Sequence, residues 1–233
     1  MDPTAPEGQG PAFAITLGAG RGRPRGRRVV LGERPSVPAL ADALRSLRPE
    51  RDGWWSQHVW TGDYREESRW TFAASLVADV DFTDAAGKHA AVPPDRRALF
   101  EAAVDILPAS LYHPTPRGAH LVQVLDAPVA DAARYRALNV AYGQRVRRVL
   151  GLAGLAATAR RTEGPRPRTI RADGFHVDGA VSTDLARLLF APNAIVDGIA
   201  RAADLTVCSD ETIDASTVLA WGEEDEREAE DVT

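Results

Sequence analysis

The stretch Ser75-Leu76-Val77-Ala78-Asp79-Val80-Asp81-Phe82 decides how this chain is read. Side chains of a strand alternate between faces, so Leu76, Ala78, Val80 and Phe82 share one face and Val77, Asp79 and Asp81 the other. The apolar run predicts a buried strand, with two carboxylates close together at its end. Two such charges repel unless a cation or a proton intervenes. A hard divalent ion such as Mg²⁺ or Mn²⁺ meets that need with oxygen ligands. Taken alone, a D-x-D pair reads equally as a solvated strand end.

Downstream, Pro94 and Asp95 open a predicted helix with Leu99, Ala102, Ala103 and Ile106 as its buried stripe, ended by Pro108. Pro114 to Gly118 is a turn. It carries Arg117 into a strand, Ala119 to Leu125, on which His120, Val122 and Val124 share a face. Arg117 and His120 are thereby placed to contact a phosphate above the carboxylates, although a lone histidine at a strand start is usually structural. Val129 to Leu150 reads as a long helix whose Arg145, Arg147 and Arg148 suit its C-terminal dipole. A basic loop, Arg160 to Arg171, includes Arg166 and Arg168. Phe175 to Asp178 reads as extended. Ser182 or Thr183 is expected to cap a helix through Phe190, stopped by Pro192, and Ala200 to Cys208 to add a last strand.

Upstream, Met1 to Pro11 is expected to be disordered. Arg21, Arg23, Arg25, Arg27 and Arg28 form a basic run that reads as a solvated loop or hairpin tip, or as a contact to a phosphate backbone. Pro38 to Leu47 reads as a short amphipathic helix. Trp54, Trp55, Trp60 and Trp70 are read as core residues in preference to a stacking platform for bases.

The chain's 233 residues, 44% hydrophobic, can bury one core or two small lobes. Lys88 is its only lysine, which reads as a coding bias or as a preference for the better phosphate fork. A net charge of -5 argues against a simple nucleic-acid coat protein. Cys208 is the single cysteine, so no internal disulfide and no multi-cysteine zinc knuckle can form. With no signal peptide and no apolar run long enough for a bilayer, a cytoplasmic protein with no membrane partner is expected. The acidic stretch Glu223 to Asp231 reads as disordered.

One further run makes the reading specific: Asp178-Gly179-Ala180-Val181-Ser182-Thr183-Asp184-Leu185-Ala186-Arg187-Leu188-Leu189-Phe190-Ala191-Pro192. It resembles the third motif of the archaeo-eukaryotic primase superfamily, approximately D-x-x-V-[ST]-x-D-x-x-R-L-[IL]-R-x-P-x-S-x-H. Asp178, Val181, Ser182, Asp184, Arg187, Leu188, Leu189 and Pro192 match in register. Asp79-Val80-Asp81 looks like the family's first motif, and Arg117-Gly118-Ala119-His120 like its second, S-G-x-G-x-H. The three occur in the family's order between about Trp70 and Asp197.

The resemblance implies a DNA primase/polymerase-like nucleotidyltransferase using two Mg²⁺ or Mn²⁺ ions and no zinc. Asp79, Asp81 and Asp178 would be the metal-binding catalytic carboxylates. His120, with Arg117 and Arg187, would contact nucleotide, and Arg187 could instead support a carboxylate. Asp184 reads as a helix cap. The implied partners are nucleoside triphosphates and a single-stranded DNA template or primer/template duplex. Arg23, Arg25, Arg27, Arg166 and Arg168 would lie on the nucleic-acid backbone, and a helicase or replisome partner on the acidic tail. Phe190, Ala194, Val196 and Gly198 depart from the third motif, and Thr115 and Pro116 from the second. The family's zinc-binding cysteines are absent, which points to a stripped-down form in a bacterial, phage or plasmid setting. The departures keep open a catalytically weakened, DNA-binding or replisome-recruiting subunit; a metal-dependent nuclease is the further alternative. The implied fold is α/β (α+β): an RNA-recognition-motif-like mixed sheet with flanking helices and a smaller N-terminal α/β unit. The expected division is a flexible basic segment 1–28, a catalytic domain 29–220 and an acidic disordered tail 221–233.

Overall fold

The computed structural model describes residues 13–19, 26–47, 53–61, 65–161, 169–179, 183–192, 194–196, 199–200 and 205–231. In chain order the elements begin with β1 (Phe13–Ala19), β2 (Gly26–Gly32), α1 (Val37–Arg45), β3 (Gly53–Ser56), β4 (His58–Trp60) and β5 (Trp70–Thr83). Then come α2 (Pro94–Ala102), β6 (Leu111–Thr115), β7 (Gly118–Val129), α3 (Ala132–Leu152), β8 (Thr158–Arg161), β9 (Thr169–Ala172) and β10 (Gly174–Val177). The last are β11 (Leu189–Phe190), β12 (Ile195–Val196), β13 (Ile199–Ala200), β14 (Thr206–Val207) and α4 (Ala215–Asp231).

The class is α+β. The main sheet runs β10-β5-β7-β6-β14, with β4 also on β5, and a smaller sheet runs β11-β3-β1-β2. β8 with β9, and β12 with β13, form two-stranded ribbons. Every named ladder is antiparallel. The parallel component expected of a mixed sheet is confined, among the described residues, to the isolated bridges Leu125–Ile213 and Ala156–Phe175.

β5 is buried on both faces, as its alternation requires. Leu76, Ala78, Val80 and Phe82 join a core with Phe100, Leu121, Tyr142 and Phe175. Val77 joins a second core with Ile15, Leu40, Trp55 and Val122. Helices α2, α3 and α4 contribute to the first core; α1 and the small sheet supply the second. β7 pairs along one edge of β5, while β4 and β10 take opposite ends of the other edge. Between them the backbone of β5 would be left unpaired in the interior. Helix α3 fills the gap: Tyr135 donates its hydroxyl to Ser75 O at 3.1 Å, and one turn later Asn139 Oδ1 accepts from Val77 N at 2.9 Å. Buried backbone groups need such partners.

Several expectations change. β1 lies within the segment 1–28 expected to be flexible, and it is part of the small sheet because Phe13, Ile15 and Leu17 are core residues. β1 and β2 pair across residues 20–25, the hairpin arrangement, with those residues and 1–12 outside the described ones. Arg27 and Arg28 belong to β2, and Arg28 lies over the Phe72 ring at 5.3 Å. Trp54, Trp55 and Trp60 are buried, in keeping with a core role. The stripe of α2 is misphased: Leu99 and Ile106 are 54% and 62% exposed, while Phe100, Ala103 and Val104 are buried. The helix ends at Ala102, and a 3-10 turn at Val104–Ile106 resets the phase. The acidic tail is helical rather than disordered: α4 extends to Asp231. It is anchored by Val218, Leu219 and Trp221 on the main core, with Arg145 stacked over Trp221 at 5.8 Å. The single strand expected over Ala200 to Cys208 is instead two short ones, β13 and β14, flanking undescribed residues 201–204. No helix among the described residues is long and apolar enough to cross a membrane.

Candidate active site

Asp79 and Asp81 leave β5 on the face that carries Val77, and antiparallel register assembles two rows of side chains around them. In one row, His113 of β6 opposes His120 of β7, which opposes Asp79. In the next, Gly118 of β7 opposes Asp81, which opposes His176 of β10. Glycine is required at 118 because a Cβ there would lie 1.7 Å from Val80 O. Any side chain would push β7 away from the carboxylates.

The third carboxylate arrives by a backbone bond. β10 ends at Val177, opposite Val80, and Asp178 N donates to Asp79 O at 2.9 Å. Asp178 is therefore tied to the strand position of Asp79. Arg187 Nη2 then lies 2.9 Å from Asp79 Oδ2 and 3.8 Å from Asp178 Oδ2. His120 Nε2 faces Asp79 Oδ1 at 3.6 Å, and its Nδ1 lies 3.3 Å from His113 Nδ1. On the other side of the site, His89 Nδ1 lies 3.2 Å from Asp81 Oδ2.

Arg187 reaches the carboxylates from a segment whose described residues, 183–190, do not form the expected helix. Asp184 O accepts from Arg187 N at 3.3 Å within the segment, but four other carbonyls accept from distant side chains instead of from helical N–H groups. Trp60 Nε1 donates to Leu185 O, Arg65 Nη1 to Ala186 O, Ser56 Oγ to Arg187 O and Arg136 Nε to Thr183 O. Asp184 caps only a turn, accepting from Ala186 N at 2.8 Å. Beyond it, β11 pairs with β3.

Burial, and then the charges of Asp79 and Asp178, push the Asp81 carboxyl above its ordinary range, while His89 and Arg187 oppose the rise. The oxygen atoms thus carry negative charge that Arg187 only partly offsets. Such a donor set fits divalent cations with oxygen ligands. Burial, followed by the neighbouring His89 and Arg171 charges, lowers His176.

Of the residues expected at the site, the structure brings together Asp79, Asp81, Asp178, His120 and Arg187. Arg117 is exposed at the β6–β7 turn; its carbonyl accepts from Phe82 N, and among the described contacts its guanidinium touches none of the three aspartates. Arg27 lies on β2, in the other sheet, and Arg23, Arg25, Arg166 and Arg168 lie outside the described residues. Of the third-motif departures, Phe190 is part-exposed on β11, Ala194 is buried, Val196 is on β12 and Gly198 is undescribed. Sequence reasoning passed over His89, His113 and His176. Only His176 carried a local signal, since it precedes Asp178 by two residues in an extended segment and so shares its side of the strand.

No family model and no curated protein matches the chain. Among solved structures, the chain is similar to the AEP domain of the cyanophage S-2L primase-polymerase, with a TM-score of 0.44 and 14% identity over 89% of this chain and 88% of that one. It is also similar to the polymerase domain of Mycobacterium tuberculosis ligase D, described in complex with DNA, with a TM-score of 0.43 and 17% identity over 95% of this chain and 74% of that one.

Proposed function

We propose that the protein is a template-directed nucleotidyltransferase of primase-polymerase type. The observation that carries this reading is the convergence of three carboxylates on one sheet face, made by the Asp178 N to Asp79 O bond at 2.9 Å. Side chains so close are costly to gather unless a cation shares them. Asp79, Asp81 and Asp178 would hold two Mg²⁺ or Mn²⁺ ions, which when bound favour attack of a 3′-hydroxyl on an α-phosphate and departure of pyrophosphate. Arg187 holds Asp79 and Asp178 in register and supplies a cationic fork beside them for triphosphate oxygens. His120, oriented through His113, presents its second nitrogen at the same edge. The basic segments containing Arg23, Arg25, Arg27, Arg166 and Arg168 would follow the template backbone. A single-stranded template, a primer and nucleoside triphosphates are the substrates of this reading, with α4 and its acidic end as the docking element for a replisome partner.

A second reading, a DNA-binding subunit without turnover, is favoured by one observation: Arg187 already bridges two of the carboxylates at 2.9 and 3.8 Å. Primer extension with Mn²⁺ separates the readings, comparing the wild type with Asp79→Ala/Asp81→Ala. Metal-dependent extension lost in the double variant is expected. DNA binding without extension in the wild type would establish the second reading, and shortening of the substrate would replace both with a nuclease.

A further inference from the structure

Beside the three aspartates lies a second donor set built on Asp81, whose other two members, His89 and His176, the polymerase reading does not use. One ligand atom from each of Asp81, His89 and His176 lies within 4.8 Å of the others. The two imidazoles meet edge to face, with ring centroids 5.2 Å apart. They come from opposite sides of β5. His176 sits on β10 directly across from Asp81. His89 is returned to the end of β5 by a tight turn and bridges Thr83 there.

That turn is built rather than loose. Asp84 N donates to Lys88 O at 3.0 Å, and Gly87 N to Asp84 O at 2.9 Å. Asp84 Oδ1 accepts from Ala86 N and Lys88 N, both at 2.9 Å. Gly87 has φ 73°, and a Cβ there would lie 2.9 Å from Arg171 O, so the turn both needs glycine and sits against β9. Ala90 N closes it onto Phe82 O at 3.1 Å. On the opposite side, His176 Nδ1 is buried and makes no well-formed hydrogen bond among the described residues, while the ring lies close to the Asp81 backbone.

One carboxylate and one histidine would be an ordinary hydrogen-bonded pair. A second imidazole nitrogen within 4.8 Å of the same carboxylate adds a nitrogen donor that such a pair does not need. Metal–nitrogen and metal–oxygen bonds of about 2.0–2.2 Å place ligand atoms roughly 3–4 Å apart, so the present spacing closes onto an ion with small side-chain movements. Two imidazoles and a carboxylate suit a first-row transition ion and discriminate against Mg²⁺, which keeps oxygen and water ligands.

We propose that Asp81, His89 and His176 form a separate transition-metal site of Co²⁺ or Zn²⁺ chemistry, which clasps the 84–88 turn to β10 and fixes the orientation of Asp81. The site shares Asp81 with the nucleotidyl-transfer reading but does not depend on it.

The test uses the full chain, stripped with chelator and titrated with Co²⁺. The wild type is expected to develop a saturable visible d–d band, abolished by stoichiometric Zn²⁺ and retained in a large excess of Mg²⁺. His89→Gln and His176→Gln are each expected to weaken Co²⁺ binding roughly tenfold or more, a loss typical of an altered metal site. Asp79→Asn/Asp178→Asn, expected to end extension, should leave the band in place. Co²⁺ binding as tight in His89→Gln/His176→Gln as in the wild type overturns the proposal. Should a histidine variant misfold, the wild type alone still decides: Co²⁺-bound protein must show paramagnetically shifted, exchangeable imidazole N–H signals, and their absence overturns it too. Histidine-dependent Co²⁺ binding in a protein that extends no primer would leave this site standing while the polymerase reading fell.

Discussion

Arg187 Nη2 lies between two carboxylates, 2.9 Å from Asp79 Oδ2 and 3.8 Å from Asp178 Oδ2. A single guanidinium therefore does in part what a metal ion does fully: it offsets charges that would otherwise repel across the end of β5. Removing it should expose that repulsion. Arg187→Gln is expected to lower stability in chelator by about 1–2 kcal/mol, the lower part of the range for hydrogen bonds to charged groups because the arginine side chain is one-third exposed. Mn²⁺ should then raise the melting temperature of the variant more than that of the wild type. Thermal unfolding with chelator and with Mn²⁺ measures both, and equal shifts in the two proteins would mean that the carboxylates do not share a cation.

Gly118 sets how closely β7 can approach the carboxylates. Gly118→Ala would drive a methyl group into Val80 O, 1.7 Å from the ideal Cβ, where the obstacle is backbone and cannot swing aside. A loss of about 3 kcal/mol or more is expected, at or beyond the usual cost of overpacking. Gly151→Ala is the matched control, because nothing lies within 4 Å of its Cβ and it sits in the last turn of α3. That change should be neutral or stabilising by up to about 1 kcal/mol. Urea unfolding of the two variants gives the comparison.

These two positions also show what the sequence made legible. The alternation through Leu76, Val77, Ala78 and Asp79 specifies the strand, its two buried faces and the shared side of the acidic pair, because strand periodicity is local. The extended Phe175 to Asp178 is legible for the same reason. The segment around Arg187 is not. Its carbonyls are taken by Ser56, Trp60, Arg65 and Arg136, residues 47 to 131 positions away, and that competition overrides the local helical pattern. His89 and His176 escape for a related reason: 87 positions separate them in sequence, and only the return of the 84–88 turn and the pairing of β10 with β5 bring both to Asp81. The acidic tail reads as disordered because its charges dominate composition, yet it continues a helix whose earlier turns, through Val218, Leu219 and Trp221, pack on the core. Secondary structure of that kind is decided by tertiary packing more than by propensity.

Asn139 tests whether α3 is needed to complete the sheet that carries the site. Its Oδ1 accepts from Val77 N, two residues before Asp79, at a point on β5 that neither β4 nor β10 reaches. Asn139→Leu keeps the branched heavy-atom skeleton, at a larger volume, but leaves a buried N–H without a partner. A loss of about 1–3 kcal/mol is expected. Tyr135→Phe, which removes the donor to Ser75 O but leaves a carbonyl better able to tolerate the loss, should cost less. Amide exchange at Val77 should accelerate in Asn139→Leu relative to the wild type, and unchanged protection would assign the bond no role in holding β5.

His58 should make the fold acid-sensitive. The ring is fully buried, and desolvation lowers its pKa from 6.5 to about 3. Trp70 Nε1 donates to His58 Nδ1 at 3.0 Å. An indole N–H can only donate, so Nδ1 accepts and the neutral ring carries its proton on Nε2; the Asp184 backbone is the partner for that proton, since Gln57 Nε2, 3.2 Å away, is itself a donor. Between about pH 6.5 and pH 3 the unfolded chain binds a proton that the native ring refuses. The stability His58 permits is therefore complete above about pH 6.5 and declines as the pH falls below it, by up to about 1.4 kcal/mol per pH unit. His58→Asn keeps an acceptor for Trp70 but has nothing to titrate. Urea unfolding from about pH 7.5 to about pH 5 should show a slope smaller by close to one proton in the variant. Carboxylates with lowered pKa values, such as Asp214, contribute acid sensitivity to both proteins and cancel in the difference. Parallel slopes would mean that His58 accepts a proton in the folded protein, and that the buried cluster of His58, Trp70 and Tyr135 opens to water near neutral pH.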